Sequence, residues 1–367
     1  MDLHGDTRTV LTLDAGGTTF VFGAMRSGQP ILPPVTRPSQ GHDLTLCLRG
    51  IEDGFREAWD GCGGAEAISF AFPGPADYPN GVIGDLVNLS GFRGGVPLGP
   101  LLEDRFGVPV LLNNDGDLFA YGEALGGLLP EVNAALAEAG SPKRFSNLLG
   151  VTFGTGFGGG LVVNGQLFRG DNAAGAEIWA VRNKLNPLSS SEEGVAIRAV
   201  RRTYAEAAGL RLEAAPEPRT IFEVGMGRQP GDTAAAQEAF RRLGEVAGDA
   251  LANALTLVDA LVVIGGGLSG AAPLFLPALV AELNAPLRTL DGRSLPRLEV
   301  QAFNLEDPAE RTRFLKGDVR QLPLPGTERR VPYDALKRTG IGLSRLGTSQ
   351  ATALGAYAYA LSWLDSR

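Results

Sequence analysis

Residues 11–25 read LTLDAGGTTFVFGAM. An apolar run ends on Asp14, a Gly-Gly-Thr-Thr bend follows, and a second apolar run leaves it. A hairpin needs only a glycine or an asparagine at its turn. This bend offers bare backbone N–H groups, two hydroxyls and a carboxylate together, which is what a metal-bound phosphate requires. Residues 10–14 and 20–25 are therefore predicted as a strand pair. Asp14, Gly16, Gly17, Thr18 and Thr19 form a candidate phosphate loop between them. The plain alternative is a tight hairpin without a ligand.

The pattern returns at residues 147–168, NLLGVTFGTGFGGGLVVNGQLF, again strand, Gly/Thr bend, strand. Gly154, Gly156 and Gly159 have the dinucleotide-binding spacing, but such a loop opens a helix, and here the chain continues as a strand toward an Asn-Gly turn. No G-x-x-x-x-G-K-[ST] motif occurs. Two Gly/Thr hairpins point instead to phosphates held from both halves, with Gly154, Thr155, Gly156 and Gly158 as the second loop. VIGGGLS, carrying Gly265, Gly266 and Gly267, is either a simple strand-to-helix turn or a floor for a nucleotide base. The two loops upstream favour the base.

Between these stretches strands alternate with helices, which predicts an α/β fold. Leu44, Leu48, Ile51, Phe55 and Trp59 recur at helical spacing. AEAISFAFPGPADYPNGVI, residues 65–83, reads as a buried strand, a Pro-Gly-Pro break and a loop turning at Asn80-Gly81. A short strand over 108–112 leads to a polar corner and a helix from about Asp117. Residues 301–340 are charged and Pro-rich and read as a surface elaboration. TSQATALGAYAYALSWL is a closing helix.

A chain of 367 residues predicts two lobes rather than one core. Its 44% hydrophobic content is that of a soluble globular protein, and its 51 glycines are about twice the usual share. Net charge is −8 with no basic block, which disfavours nucleic acid and anionic membranes as partners. A polyphosphate remains compatible where Mg²⁺ and backbone dipoles neutralise it. Two cysteines, Cys47 and Cys62, and two histidines, His4 and His42, argue against a disulfide framework, a Cys/His zinc site and a Ser–His–Asp mechanism. MDLHGDTR does not resemble a signal peptide, and no apolar run approaches ~18 residues. The expectation is a cytoplasmic protein.

NND, residues 113–115, closes a strand and opens a helix. Asn and Asp there are favoured helix caps. The chemical reading is that Asp115 deprotonates a hydroxyl while Asn114 orients the same molecule. Glu177 in GAEIW follows a Gly-rich loop and reads equally as the start of a surface helix.

Taken in order, these motifs form a set: Asp-x-Gly-Gly-Thr, Pro-Gly-Pro, Asn-Leu-x-Gly-Phe, Asn-Asp, Thr-x-Gly-Thr-Gly-x-Gly-Gly-Gly, Ala-Gly-x-Glu, Gly-Gly-Gly-x-Ser, and a closing Leu-Gly before Gly-Ala. The set resembles the ROK sugar kinases of the actin-like ATPase superfamily, which also holds hexokinase and the heat-shock ATPase domains. The resemblance runs from about residue 10 to residue 360. It implies a two-lobed actin-like (ribonuclease H-like) α/β fold with a nucleotide cleft between the lobes. Residues 1–115 would form the smaller lobe, with the helix at 348–367 packing back on it, and 116–347 the larger one. It implies ATP and Mg²⁺ as cofactors, with Asp14 near Mg²⁺ through water. Gly74, Asn88, Asn114, Asp115 and Glu177 match sugar-contacting positions, with Asp115 the catalytic base. The partners implied are a small-molecule sugar and ATP, and the resemblance leaves room for a homodimer.

Departures from the family pattern follow Glu177. The histidine of the family's Glu-x-x-His clamp falls near Ala180, and NPLSSSEEGVAIRAV replaces its zinc-binding cysteine cluster. Glu193 matches the glutamate that closes that cluster, a further sugar-side position. Trp179, Arg182 and Asn183 lie where a replacement set would be, or are ordinary packing and surface charge. The activity implied is ATP-dependent phosphorylation of a hexose, glucose at its 6-hydroxyl first. Fructose, mannose, allose and N-acetylated hexosamines are alternative acceptors. The family's sugar-responsive regulators carry an N-terminal helix-turn-helix, which the early phosphate loop argues against. Intact Asp115 argues against a silent sugar binder.

Overall fold

The computed structural model describes residues 3–367. The first glycine bend joins Val10–Ala15 to Thr19–Arg26 in antiparallel register, Asp14 opposite Val21. Leu11, Leu13, Phe20 and Phe22 are buried. The sheet runs Gln29–Pro30, Thr19–Arg26, Val10–Ala15, Ala67–Ala71, Val110–Asn113, with Val35–Pro38 also on Thr19–Arg26. Its last three strands are parallel. The helix Leu44–Cys62 covers one face through Cys47, Ile51, Phe55 and Ala58. Its Asp43 cap accepts from the Leu46 N–H, and Phe55 meets Phe22 edge-on at 5.0 Å.

The second sheet repeats the plan. Gln166–Phe168, Phe157–Val163 and Leu148–Phe153 form an antiparallel meander, continued in parallel by Leu261–Gly265, Arg338–Leu343 and Gln301–Asn304. Thr233–Val258 and Ala272–Leu283 bury their apolar faces with it. Two helices, Asp115–Gly126 and Thr348–Asp365, pack on each other. They also tie the two sheets together: the first lies on Leu148–Phe153 and Phe157–Val163, the second on Val10–Ala15 and Ala67–Ala71. A Cβ on Gly355 would stand 2.0 Å from the Leu118 carbonyl oxygen, so only glycine admits this backbone-to-backbone crossing.

Three expectations change. The helix predicted from Asp117 begins at Asp115, because the Asn114 side chain caps it by accepting from the Gly116 N–H. The strand before it is Val110–Asn113. Residues 301–340 are not a surface elaboration throughout. Gln301–Asn304 and Arg338–Leu343 are strands inside the second sheet, with Ala302, Phe303 and Ile341 buried. Their polar look came from groups satisfied in the interior. Buried Arg338 pairs with Asp334 at 2.6 Å, and Thr339 donates to the Ala260 carbonyl. Between the two strands the helix Pro308–Lys316 buries only Phe314, and the hairpin Val319–Pro323 with Arg330–Asp334 is largely exposed. Among the described residues no helix is long and apolar enough to cross a membrane.

Candidate active site

A cleft of about 770 Å³ opens where the strand ends of both sheets meet the head of the Asp115 helix. Gly74, Asn114, Asp115, Gly154, Thr155, Gly156, Gly158, Glu177 and Gly266, all singled out from sequence, line it. They come from five separate stretches of chain, and the topology brings them together.

Asp115 is the first residue of its helix, where the N-terminal dipole favours a negative charge. The Gly116 N–H donates both to Asn114 Oδ1, at 2.7 Å, and to Asp115 Oδ1, at 2.8 Å. The Asp115 side chain is exposed to the cleft, and the protein atoms crowded around it desolvate its carboxyl and push it above the usual range. The N–H groups of Gly116 and Asp115 oppose the shift, and the charge of Asp14 adds to it. The helix start sits directly on the strand Phe157–Val163. A Cβ on Gly116 would be 2.4 Å from the Gly159 carbonyl oxygen, and one on Gly160 would be 2.2 Å from that of Gly116. These glycines set the height of Asp115 over the second glycine bend.

That bend is held open by its own bonds: Gly154 N–H donates to Gly156 O at 3.0 Å, and Phe157 N–H to Glu192 Oε2 at 3.0 Å. Across from it a Cβ on Gly154 would come no closer than 4.0 Å to the Gly267 nitrogen. Gly267 is exposed with open space around it, while Gly265 is buried against Phe119. The Gly266 N–H donates to Thr348 Oγ at 3.0 Å.

The first bend stands outside the walls of this cleft. Gly16 N–H donates to Thr19 O, and Ser39 clamps the loop through Thr18 O, at 3.0 Å, and Gly17 O, at 2.7 Å. Asp14 is exposed and accepts from Ser349 Oγ at 3.0 Å. Asn88 does not reach the cleft either; it is exposed beside Gly17. Glu193 is a clearer departure. It turns away to Arg198, at 2.6 Å, and Arg202, at 3.1 Å, and Arg198 holds its carboxyl below the usual range. Its neighbour Glu192 lines the cleft instead, because successive residues of the turn Glu192–Val195 point in different directions.

Other groups have no motif to announce them. Tyr78 lies under Gly74, donates to the Phe72 carbonyl at 2.9 Å, and has its hydroxyl pushed up by burial and by Asp115. Asp117 is buried behind Asp115 with its Oδ1 lacking a hydrogen-bond partner, and burial pushes its carboxyl up to about 7 against the opposing charge of Arg169. Arg169 reaches Asn113 Oδ1 at 3.2 Å and lies over the Tyr359 ring.

After Glu177 the chain makes the short 3₁₀ turn Ile178–Ala180, and Trp179 Nε1 donates back to Glu177 Oε2. Ser191 Oγ donates to the Ile178 and Trp179 carbonyls, at 2.8 and 3.1 Å. Buried Asn183 accepts from the Leu185 and Asn186 N–H groups and donates to Ser190 O. These residues do not fit a zinc ion. Among the described residues no three His, Cys, Asp or Glu side chains gather as a metal site, and Cys47 and Cys62 lie on the Leu44–Cys62 helix. A hydrogen-bonded Asn/Ser hub shapes the loop.

The ROK family profile matches residues 10–307. A crystal structure of a glucokinase from Parabacteroides distasonis is 51% identical, with a TM-score of 0.89 and 99% of each chain covered. A glucokinase from Thermotoga maritima is 29% identical over 71% of this chain and 83% of its own length. An N-acetyl-D-glucosamine kinase from Yersinia enterocolitica is 27% identical over 78% of this chain and 92% of its own. With a profile match over most of its length and two lobes built on one repeated sheet plan, the chain belongs to the ROK family and has its actin-like ATPase fold.

Proposed function

We propose that this protein transfers the γ-phosphoryl group of ATP to the 6-hydroxyl of glucose. The observation that carries the reading is Asp115, a carboxylate at a helix start that opens on a cleft between a glycine bend and Glu177. Asp115 accepts the proton of the attacking hydroxyl, and its raised pKa strengthens it as a base. Asn114 and Glu177 hold the sugar, with the backbone of Gly74 beside them. The bend carrying Gly154, Thr155, Gly156 and Gly158 faces the phosphates, with the Thr155 and Gly156 N–H groups as its donors to developing charge and the Gly16–Thr19 bend as the matching loop of the first sheet. Gly266 and Gly267 carry the adenosine, with Gly265 buried behind them as the end of the strand. Mg²⁺ neutralises phosphate charge when bound, and Asp14 with water fits it, because this ion needs only one or two carboxylates beside phosphate oxygens. We assign residues 1–115 to the smaller lobe, with the helix at 348–367 packing back on it, and 116–347 to the larger one, which leaves Asp115 at their junction.

Glucose leads because the 51% identical protein is named a glucokinase. N-acetylglucosamine is the second reading, because a relative covering 78% of the chain is named its kinase. A coupled ADP-release assay over glucose, N-acetylglucosamine, mannose, fructose and allose separates them by kcat/KM. In the same assay Asp115→Asn should keep sugar binding and lose about 10²–10⁴ in turnover. Turnover within a few-fold of wild type would leave Asp115 as a helix cap.

A further inference from the structure

The cleft contains one aromatic surface that the reaction above leaves unused. Of the aromatic residues lining it, Phe157 and Tyr78 are buried at 1% and 7% exposure, whereas Trp179 is 44% exposed. Phe168 and Tyr333 are as exposed but do not line the cleft, so Trp179 is the aromatic ring that the cleft offers to a ligand. Its orientation is not left to chance. The ring N–H is spent on Glu177, and the Trp179 and Ile178 carbonyls are pinned by Ser191 Oγ. Ile178 between them is buried, so the short turn cannot roll over. Carboxylate and ring therefore form one rigid unit with a charged acceptor and a flat apolar face side by side.

A pyranose is the matching shape. Its hydroxyls lie around the rim and seek charged acceptors, while its axial C–H groups make an apolar face that packs on an aromatic ring. We propose that Trp179 is the platform on which the hexose ring lies while Glu177 takes its rim hydroxyls. This inference rests on the hexose-kinase reading and adds the residue that selects a pyranose. Nothing in the phosphate or adenosine contacts involves Trp179, so its effect should be confined to the sugar.

The test uses W179A and W179F in the full chain. W179A should raise the KM for glucose about thirtyfold or more, as loss of an aromatic anchor does. The KM for ATP and the melting temperature should hold. W179F, which keeps a ring without the N–H, should fall between W179A and wild type. Glucose should also change the tryptophan fluorescence of wild type but not of W179F, because Trp59 and Trp363 do not line the cleft. A glucose KM within twofold of wild type in W179A, or an equal rise for ATP, would overturn the platform. If no hexose is turned over by wild type, the kinase reading fails on its own. The fluorescence titration still decides the platform: a sugar-dependent signal lost in W179F supports it, and no signal in wild type overturns it.

Discussion

Gly116→Ala puts the geometry of the site under direct strain. Considered only as a helix residue, alanine is better than glycine by about 1 kcal/mol, so a helix free of neighbours would gain. Here the new Cβ would sit 2.4 Å from Gly159 O, 2.8 Å from its carbonyl carbon and 2.9 Å from its nitrogen. All three are backbone atoms of the strand Phe157–Val163, so no side chain can swing aside. Restoring a contact of about 3.5 Å requires the helix start to rise by about 1 Å. Overpacking of that kind costs about 1–3 kcal/mol, which offsets or exceeds the propensity gain. The larger effect is on chemistry, because Asp115 precedes the substituted residue and moves with it. A misplacement of about 1 Å costs on the order of 10² in rate. Steady-state ADP release should show kcat down about a hundredfold, with the KM values for glucose and ATP changing much less. A melting curve should show a small loss of stability. A variant that melts higher than wild type and keeps kcat within a few-fold would refute both the contact and the role it gives Asp115.

Glu177→Ala should raise the KM for sugar by one to two powers of ten, since charge-assisted hydrogen bonds are worth about 1.5–3 kcal/mol each and about 1.4 kcal/mol is tenfold. The KM for ATP should stay put; a parallel rise would mean damage to the fold rather than loss of a clamp. Asp117→Asn tests the buried carboxyl behind the site. Burial raises its folded pKa from 3.8 to about 7, so the folded state holds the proton more tightly than the unfolded one. Wild type should therefore lose stability as pH rises from about 4 to about 7, by at most about 4 kcal/mol, and then level off. The asparagine variant removes that term and should be the more stable protein above pH 7. Melting temperatures of the two that run parallel from pH 4 to pH 8 would show that Asp117 is not the group responsible.

The two glycine bends were legible because each is a local signal: apolar runs fix the strands, and Gly/Thr turns fix the bends, within a few residues. The buried strands at 301–304 and 338–343 were not, because they are short and earn their place through parallel neighbours. Their polar residues looked like surface only until Asp334 and the Ala260 carbonyl were placed beside them. In the candidate site, the resemblance to the ROK motifs singled out Asp115, Asn114 and Glu177, and the fold brings the three to one cleft. Their partners could not be read from the chain. The choice of Glu192 over Glu193 depends on the rotation of one helical turn, and the bond from Trp179 to Glu177 on the pitch of another. Glycine identity at 116, 159 and 160 was plain in the chain, but its reason was not. Alone, each allows a turn; only the crossing of a helix over a strand makes the missing side chains necessary. The sequence by itself determined which short segments form elements and which carry chemistry, since those preferences act over a few neighbouring residues. Tertiary structure decided which groups face one another, because burial, close approach and shared hydrogen bonds arise between segments far apart in the chain.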